Sequence, residues 1–293
     1  MYKRQLYIAA STEYDDNEMV HPLVTMNCIK NIIGDNRTNP SKPLLSYSLH
    51  ICKERKIINY NDAIQKKELE DESITSIFVG ELEDALQACD WNGVDKLMPS
   101  IYYVSDRSRS IIDTIADLGL QNIDSNIVMI FHLLRAFNFK QRKSHVWTYA
   151  CLLVNKIKSN PLPKPSSRKD CAPKDFLENI IDEKDVQKLV KYAAVSRIWE
   201  GDYVRLRSYK REISSWLYEN FSKSTEKTIK DLQVDNSQID FITVAEKIIL
   251  NGKSYDMISE KINTLDALRY LKNIGCNINI KYHINSLLKN GII

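Results

Sequence analysis

Two polar residues interrupt an otherwise apolar stretch of the chain, and they are the first candidates for chemistry. His132 and Arg135 are the strongly polar positions in the apolar core of residues 127–139. They stand three positions apart, so they share one face of a helix. A buried arginine needs a carboxylate or phosphate partner, because an unpaired charge is costly in the core. The pair therefore predicts either an internal polar pocket suited to an enzyme, or an ion pair with Asp113 or Asp117 that closes the core.

A second set of candidates is basic and lies close to aromatic residues such as Trp199. Its members are Arg197, Arg205, Arg207, Lys210 and Arg211. Basic side chains beside aromatic rings are typical of a groove that binds a nucleic-acid backbone and stacks its bases. The alternative is an exposed helix face whose charge is balanced by Glu200, Asp202 and Glu212.

Motifs for catalysis, metals and cofactors are absent from the sequence. Glu18 and His21 have the spacing of paired ligands on one helical face, but a di-iron site needs a second such pair, and none of the other four histidines has a glutamate three positions before it. The six cysteines include no CxxC pair, and neither a glycine-rich phosphate loop nor a GxSxG motif occurs. The sequence therefore indicates no catalytic residue, no metal ligand and no cofactor.

The elements that must position these residues are helices. Residues 127–139 are apolar nearly all round, which predicts a helix buried between neighbours. Asp124 or Ser125 is the expected N-cap, because either side chain can accept a free backbone N–H. The preceding helix is expected to end at Gly119 in a left-handed conformation, and the following helix to begin at a Ser144 cap.

Further helices are predicted on both sides of a proline-rich stretch at residues 160–173. Before that stretch, helical periodicity begins at residue 73, after the charged residues 61–72. Beyond it, a last strong helix is expected to be capped by Thr264 and to end at Gly275. The other helices predicted beyond it span residues 176–181, 186–199, 202–221 and 239–250.

These patterns predict an all-α protein, either a multi-helix bundle or an α-solenoid-like array of helical hairpins, with a minor N-terminal part that is irregular or α+β. Four segments are expected. They are an N-terminal segment (1–61), a central helical domain (62–158), a proline-rich basic linker (159–174) and a C-terminal helical domain (175–293). The two helical domains are compatible with packing as one unit.

Bulk composition is that of an ordinary globular protein. The 293 residues are 43% hydrophobic and 27% charged, and the formal net charge of +3 is too small to imply a polyanionic partner. Because the sequence has neither a signal peptide nor a transmembrane segment, we expect a cytoplasmic protein without a membrane partner. The expected function is a non-catalytic helical interaction or adaptor protein that binds another protein. The alternative is an accessory protein that binds DNA or RNA through its Arg/Lys helix face, and the sequence gives no oligomeric state.

Overall fold

The computed structural model of the chain describes residues 2–14, 20–60, 78–159, 161–167, 171–222 and 239–289. These residues form α-helices, short 3-10 turns and connecting loops. Among them, β structure is limited to one isolated bridge between Thr12 and Ile57. The all-α prediction is confirmed, and the described N-terminal residues are largely helical as well.

The helices follow one another along the chain as α1 (Tyr2–Ala10), α2 (Pro22–Ile33), α3 (Lys42–Lys53), α4 (Val79–Gln87), α5 (Trp91–Val104), α6 (Ser110–Gly119), α7 (Ile123–Phe139), α8 (Lys143–Lys158), α9 (Val186–Trp199), α10 (Leu206–Phe221), α11 (Phe241–Asn251), α12 (Tyr255–Asn273) and α13 (Ile280–Lys289). Proline at the first position of α2 starts a helix without losing a bond, because that N–H has no partner inside the helix. His21 caps the same helix through its imidazole.

Helix α7 is the buried centre of the molecule, as its composition predicts. Ile127, Ile130 and Leu133 are fully buried, and α7 packs against α2, α8 and α9. Its N-cap is Asn122 rather than Asp124 or Ser125, and the Asn122 Oδ1 accepts the Ser125 N–H at 3.3 Å. The Asp124 carboxylate instead binds Lys191 and Trp216, so tertiary contacts decide which side chain caps the helix.

Helices that are far apart in sequence pack side by side. Helix α12 lies against both α2 and α9, and α2 also packs on α7. In a solenoid each hairpin contacts its neighbours in sequence, so these contacts make the fold a multi-helix bundle. They also join the predicted N-terminal, central and C-terminal segments, whose boundaries stay a prediction.

Two glycines end helices for different reasons. Gly275 has φ +77°, which is the left-handed conformation expected at a helix end. The same expectation is wrong for Gly119, where φ is −59°. A Cβ atom at Gly119 would lie 2.9 Å from Ile130 Cδ1 and 3.1 Å from Ile157 Cδ1. Glycine therefore allows α6 to approach α7 and α8 closely, because a larger residue would have to displace these two isoleucine side chains.

Several predicted boundaries are wrong. Thr264 lies inside α12, which begins nine residues earlier after its cap Ser254. Residues 176–181 form no α-helix, since a 3-10 turn at Pro173–Phe176 is followed by further turns. Helix α8 begins at Lys143, one residue before the expected cap. The charged residues 61–72 and the predicted helix start at residue 73 lie outside the described residues.

Candidate functional sites

Three helices bring polar side chains together in the middle of the core. Helix α2 supplies Asn27 and Cys28, α7 supplies His132, and α12 supplies Asn263 and Asp266. We call these five residues the polar cluster. All are buried, with at most 8% of any of them exposed.

His132 is held from both sides of its ring. Its Nδ1 lies 2.9 Å from the Asn27 Nδ2, and its Nε2 lies 3.7 Å from the Cys28 Sγ. The Asn27 amide donates to Nδ1, so the neutral ring carries its proton on Nε2. Burial lowers the pKa of His132 to about 3, and repulsion from Arg197 and Lys30 acts in the same direction. The imidazole is therefore uncharged at neutral pH.

Asp266 is the negative charge of the polar cluster, and Arg197 is its partner. The Arg197 Nη1 lies 2.7 Å from Asp266 Oδ2, and its Nη2 donates to the Asp266 backbone carbonyl at 2.8 Å. Asn31 donates to the same Oδ2 at 3.1 Å. Burial alone raises the pKa of Asp266, but Arg197, His132 and Arg269 together bring it below its usual value. The carboxylate is therefore ionised in the core.

In space, His132 lies between Cys28 and Asn27, which is the arrangement of a thiol nucleophile, its base and an amide that orients the base. Burial nevertheless raises the pKa of the Cys28 thiol well above its usual value, so the thiol stays protonated. The side chain is also fully enclosed. A protonated thiol that no substrate can reach does not act as a nucleophile.

The predicted buried pair of His132 and Arg135 is wrong in its second member. His132 is in the core, but Arg135 is exposed at the surface. The expected partners are occupied elsewhere, since Asp113 binds Arg109 and Asp117 binds Arg205. Arg135 therefore faces away from the buried side of α7 on which His132 lies.

The predicted basic set is divided between the interior and the surface. Arg197 belongs to the core because it binds Asp266, and Arg205 bridges Glu83 and Asp117 at 2.8 and 3.1 Å. These two guanidinium groups are neutralised by carboxylates. Neither offers its charge to a polyanion.

The other three basic residues lie on the surface of α10. Arg211 pairs with the buried Glu212 at 2.8 Å, and the Lys210 ammonium lies 4.7 Å from the centre of the Trp199 ring. Arg207 is exposed. The set therefore does not converge on one groove, although Lys210 and Trp199 form the combination of cation and ring that the sequence suggested.

An open cleft of about 760 Å³ lies beside the polar cluster. It is bordered by α2, α7, α8 and α12 and by residues that follow α1 and α3. Asn263 lines the cleft, and its Oδ1 also lies 3.7 Å from the Cys28 Sγ. The cleft and the polar cluster therefore share the Asn263 side chain.

His21 brings an unsatisfied hydrogen-bond donor to the cleft wall. Its Nδ1 accepts the Leu23 N–H at 3.1 Å, so its proton is on Nε2. That Nε2 is buried and has no hydrogen-bond partner. Burial, together with the positive charges of Arg55 and Lys156, lowers the pKa of His21 to about 3.

The charged side chains among the described residues of the cleft wall are positive. Of the lining side chains in the described parts of the chain, Lys156 and Lys158 are charged, and none carries a carboxyl group. Burial lowers the pKa of Lys156, and the Lys158 ammonium lies 5.6 Å from the centre of the Trp91 ring. Neutral donors and acceptors from Ser125 and Asn155 complete a polar lining.

Sequence reasoning missed most of the polar cluster, because its members come from helices more than 100 residues apart. Asn27 and Cys28 appear as ordinary interruptions of an apolar helix, and Asp266 stands between Leu265 and Ala267. A buried acid within an apolar helical stripe predicts a buried partner. That pattern could have indicated Asp266, but not which residue pairs with it.

Comparisons with known proteins leave the sites to be interpreted from their own geometry. No protein-family model, no curated protein and no solved structure matches this chain. Among the described residues, no helix combines the length and the apolarity needed to cross a membrane.

Proposed function

We propose that the chain is a non-catalytic helical interaction protein, an adaptor, whose cleft holds an acidic segment of a partner protein. The observation that carries this proposal is the buried Nε2–H of His21, which has no hydrogen-bond partner, on a wall that also carries the exposed Lys158. A carboxylate of an acidic segment can accept a hydrogen bond from the first group and complements the charge of the second. Complementary charge of this kind favours encounter with the right partner and disfavours basic ones.

Hydrogen bonding supports the same class of ligand. The buried Nε2–H of His21 has no acceptor. A buried donor left unpaired costs about 1–3 kcal/mol, so a carboxylate that reaches this wall would gain by accepting from it. The ring itself is neutral, because burial holds the pKa of His21 at about 3.

The size and the apolar part of the wall fit a short segment rather than a whole domain surface. Ligand sites usually enclose roughly 300–1,000 Å³, and the cleft lies within that range. Val24, Val128 and Met129 line it alongside the polar groups. Side chains of alternating acidic and aliphatic character would contact both parts.

Binding can be tested with a fluorescein-labelled peptide of alternating glutamate and leucine, followed by anisotropy. We expect saturable binding that is at least tenfold weaker in Lys156→Gln/Lys158→Gln, and weaker at higher salt because exposed charges are screened. The matched control is Lys164→Gln/Lys174→Gln, which removes the same charge from exposed positions outside the cleft.

The result would contradict the proposal if the two double variants bound the peptide equally well, or if a peptide with glutamine in place of glutamate bound as tightly. Citrate, a small tricarboxylate, is added as a competitor. If citrate does not displace the bound peptide, the peptide remains the class of ligand. If citrate binds and the peptide does not, the ligand is a small anion rather than a protein partner.

A second function, binding of DNA or RNA by the surface of α10, is supported by the Lys210 ammonium against the Trp199 ring. Binding of a single-stranded oligonucleotide should then weaken steeply with salt. Changing Arg207 and Arg211 to alanine should reduce that salt dependence. Binding that does not change in this variant would remove the second function.

We also propose a cytoplasmic location. All six cysteines are free. Thiols persist in reducing compartments, where the buried Cys28 and Cys276 behave as small apolar side chains.

A further inference from the structure

The polar cluster contains the donor atoms of a metal site. Cys28, His132 and Asp266 each offer one ligand atom, and these three atoms lie within 4.8 Å of one another. The Asn263 Oδ1 lies 3.7 Å from the Cys28 Sγ and is a fourth candidate. Zinc in proteins is usually bound by four such donors, among which sulfur, imidazole nitrogen and carboxylate oxygen all occur.

The distance between two of the candidate ligand atoms is close to the one that a bound ion requires. Bond lengths to sulfur and nitrogen in a tetrahedral zinc site imply a separation of about 3.6 Å between these two atoms. The observed distance between the Cys28 Sγ and the His132 Nε2 is 3.7 Å. Little movement of α2 relative to α7 would therefore be needed.

One oxygen of Asp266 has no hydrogen-bond partner. Asp266 uses Oδ2 for Arg197 and Asn31, but its buried Oδ1 accepts no hydrogen bond. The Arg269 Nη1 forms an ion pair with Oδ1 at 3.8 Å, beyond hydrogen-bond distance. A buried carboxylate oxygen without a partner is costly, and a metal ion would satisfy it.

We propose that Cys28, His132 and Asp266 bind one zinc ion in the core, with the Asn263 carboxamide oxygen as the fourth ligand. This site is independent of the cleft's proposed partner. It ties α2, α7 and α12 together, so its role is structural. A closed set of four protein ligands is the usual form of a structural zinc site.

Two of the zinc ligands neutralise the charge of the ion, and the site keeps the single positive charge of Arg197. The Cys28 thiol releases its proton to solvent, and the resulting thiolate and the Asp266 carboxylate neutralise the two charges of Zn²⁺. Arg197 keeps its charge, which lies 5.1 Å from the Phe131 ring centre and 4.5 Å from that of Tyr270. Aromatic faces stabilise such a cation. Arg197 and Asn31 hold the outer oxygen of Asp266 in place.

Binding also requires the other tautomer of His132, with the proton on Nδ1. A half-turn of the Asn27 carboxamide presents its Oδ1, which has no hydrogen-bond partner, to that proton. Amide groups of this type bind equally well in either orientation as donor or acceptor. The His132 proton moves from Nε2 to Nδ1, so this change neither releases nor takes up a proton.

The test uses the full chain, expressed with zinc in the medium, purified with a thiol reductant, and analysed for metal content. We expect one zinc per chain. Slow exchange with Co²⁺ should produce a thiolate-to-cobalt charge-transfer band and the strong visible bands of four-coordinate cobalt. Cys28→Ala should lose both the zinc and the bands.

The matched control is Cys276→Ala, which removes another buried thiol outside the polar cluster and should keep both signals. Helical circular dichroism checks that each variant is folded. Wild-type protein with only background zinc and no cobalt band would overturn the proposal, whether or not the variants fold. A cobalt band that persists in Cys28→Ala would overturn it as well.

Discussion

The polar cluster and the cleft are neighbours that share Asn263, yet their polar groups are satisfied in different ways. In the cluster, Asp266 and Arg197 neutralise each other inside the protein. In the cleft, the exposed Lys158 lies on a wall whose described lining residues carry no carboxyl group. Burial makes a polar group depend on its protein partner, whereas exposure leaves it available to a ligand.

This difference separates stability from binding. A change in the polar cluster should act on the free energy of unfolding, because water cannot replace the lost partner. A change of an exposed cleft residue should act on ligand affinity and leave folding nearly unchanged. Three measurements test this separation.

The largest effect is expected from Asp266→Asn. The change leaves the Arg197 charge without its carboxylate in the core, where breaking a buried ion pair costs about 3–5 kcal/mol. Urea unfolding at neutral pH measures the loss. Because the two residues interact directly, Arg197→Met/Asp266→Asn should lose less than the sum of the two single changes. Additive losses would mean that the pair does not stabilise the core.

An intermediate effect on the free energy of unfolding is expected from a change of pH. It arises at His21, which lines the cleft but has a buried ring. Its pKa is about 3 in the folded chain and about 6.5 in the unfolded chain, so between these values the unfolded chain binds a proton that the folded chain does not. Stability therefore falls as pH drops, by about 2.3 kcal/mol from this group between pH 6.5 and 4.5.

The His21 contribution can be isolated with His21→Asn, because asparagine also caps a helix but does not titrate in this range. Urea unfolding across that pH range, with a chelator present, should give a shallower dependence for the variant. Equal slopes for both proteins would show that water reaches the His21 ring, which would place it with the open cleft rather than with the buried groups.

The smallest effect is expected from Lys158→Gln, at an exposed position of the cleft. Substitutions at such sites usually change stability by less than about 0.5 kcal/mol. Thermal or urea unfolding checks this value. A loss comparable to that of Asp266→Asn would contradict the separation between the two regions.

The amino-acid sequence by itself determined the helices and the buried position of α7. Apolar residues at helical spacing identify a helix and its inward face without knowledge of its neighbours, because both depend on residues within a few turns. Gly275 could be assigned for the same local reason. The absence of a phosphate loop and of paired cysteines was also visible in the sequence alone.

Only the tertiary structure decided which polar residues meet. His132 was identified as a buried polar residue, but its contacts Asn27 and Cys28 come from α2, more than 100 residues away. Arg197 was assigned to a surface together with the basic residues of positions 205–211, whereas α12 brings Asp266 to it and makes it part of the core. Gly119 likewise depends on the close approach of α7 and α8. Charge pairing and close packing are decided by neighbours in space, and a single sequence does not specify those neighbours.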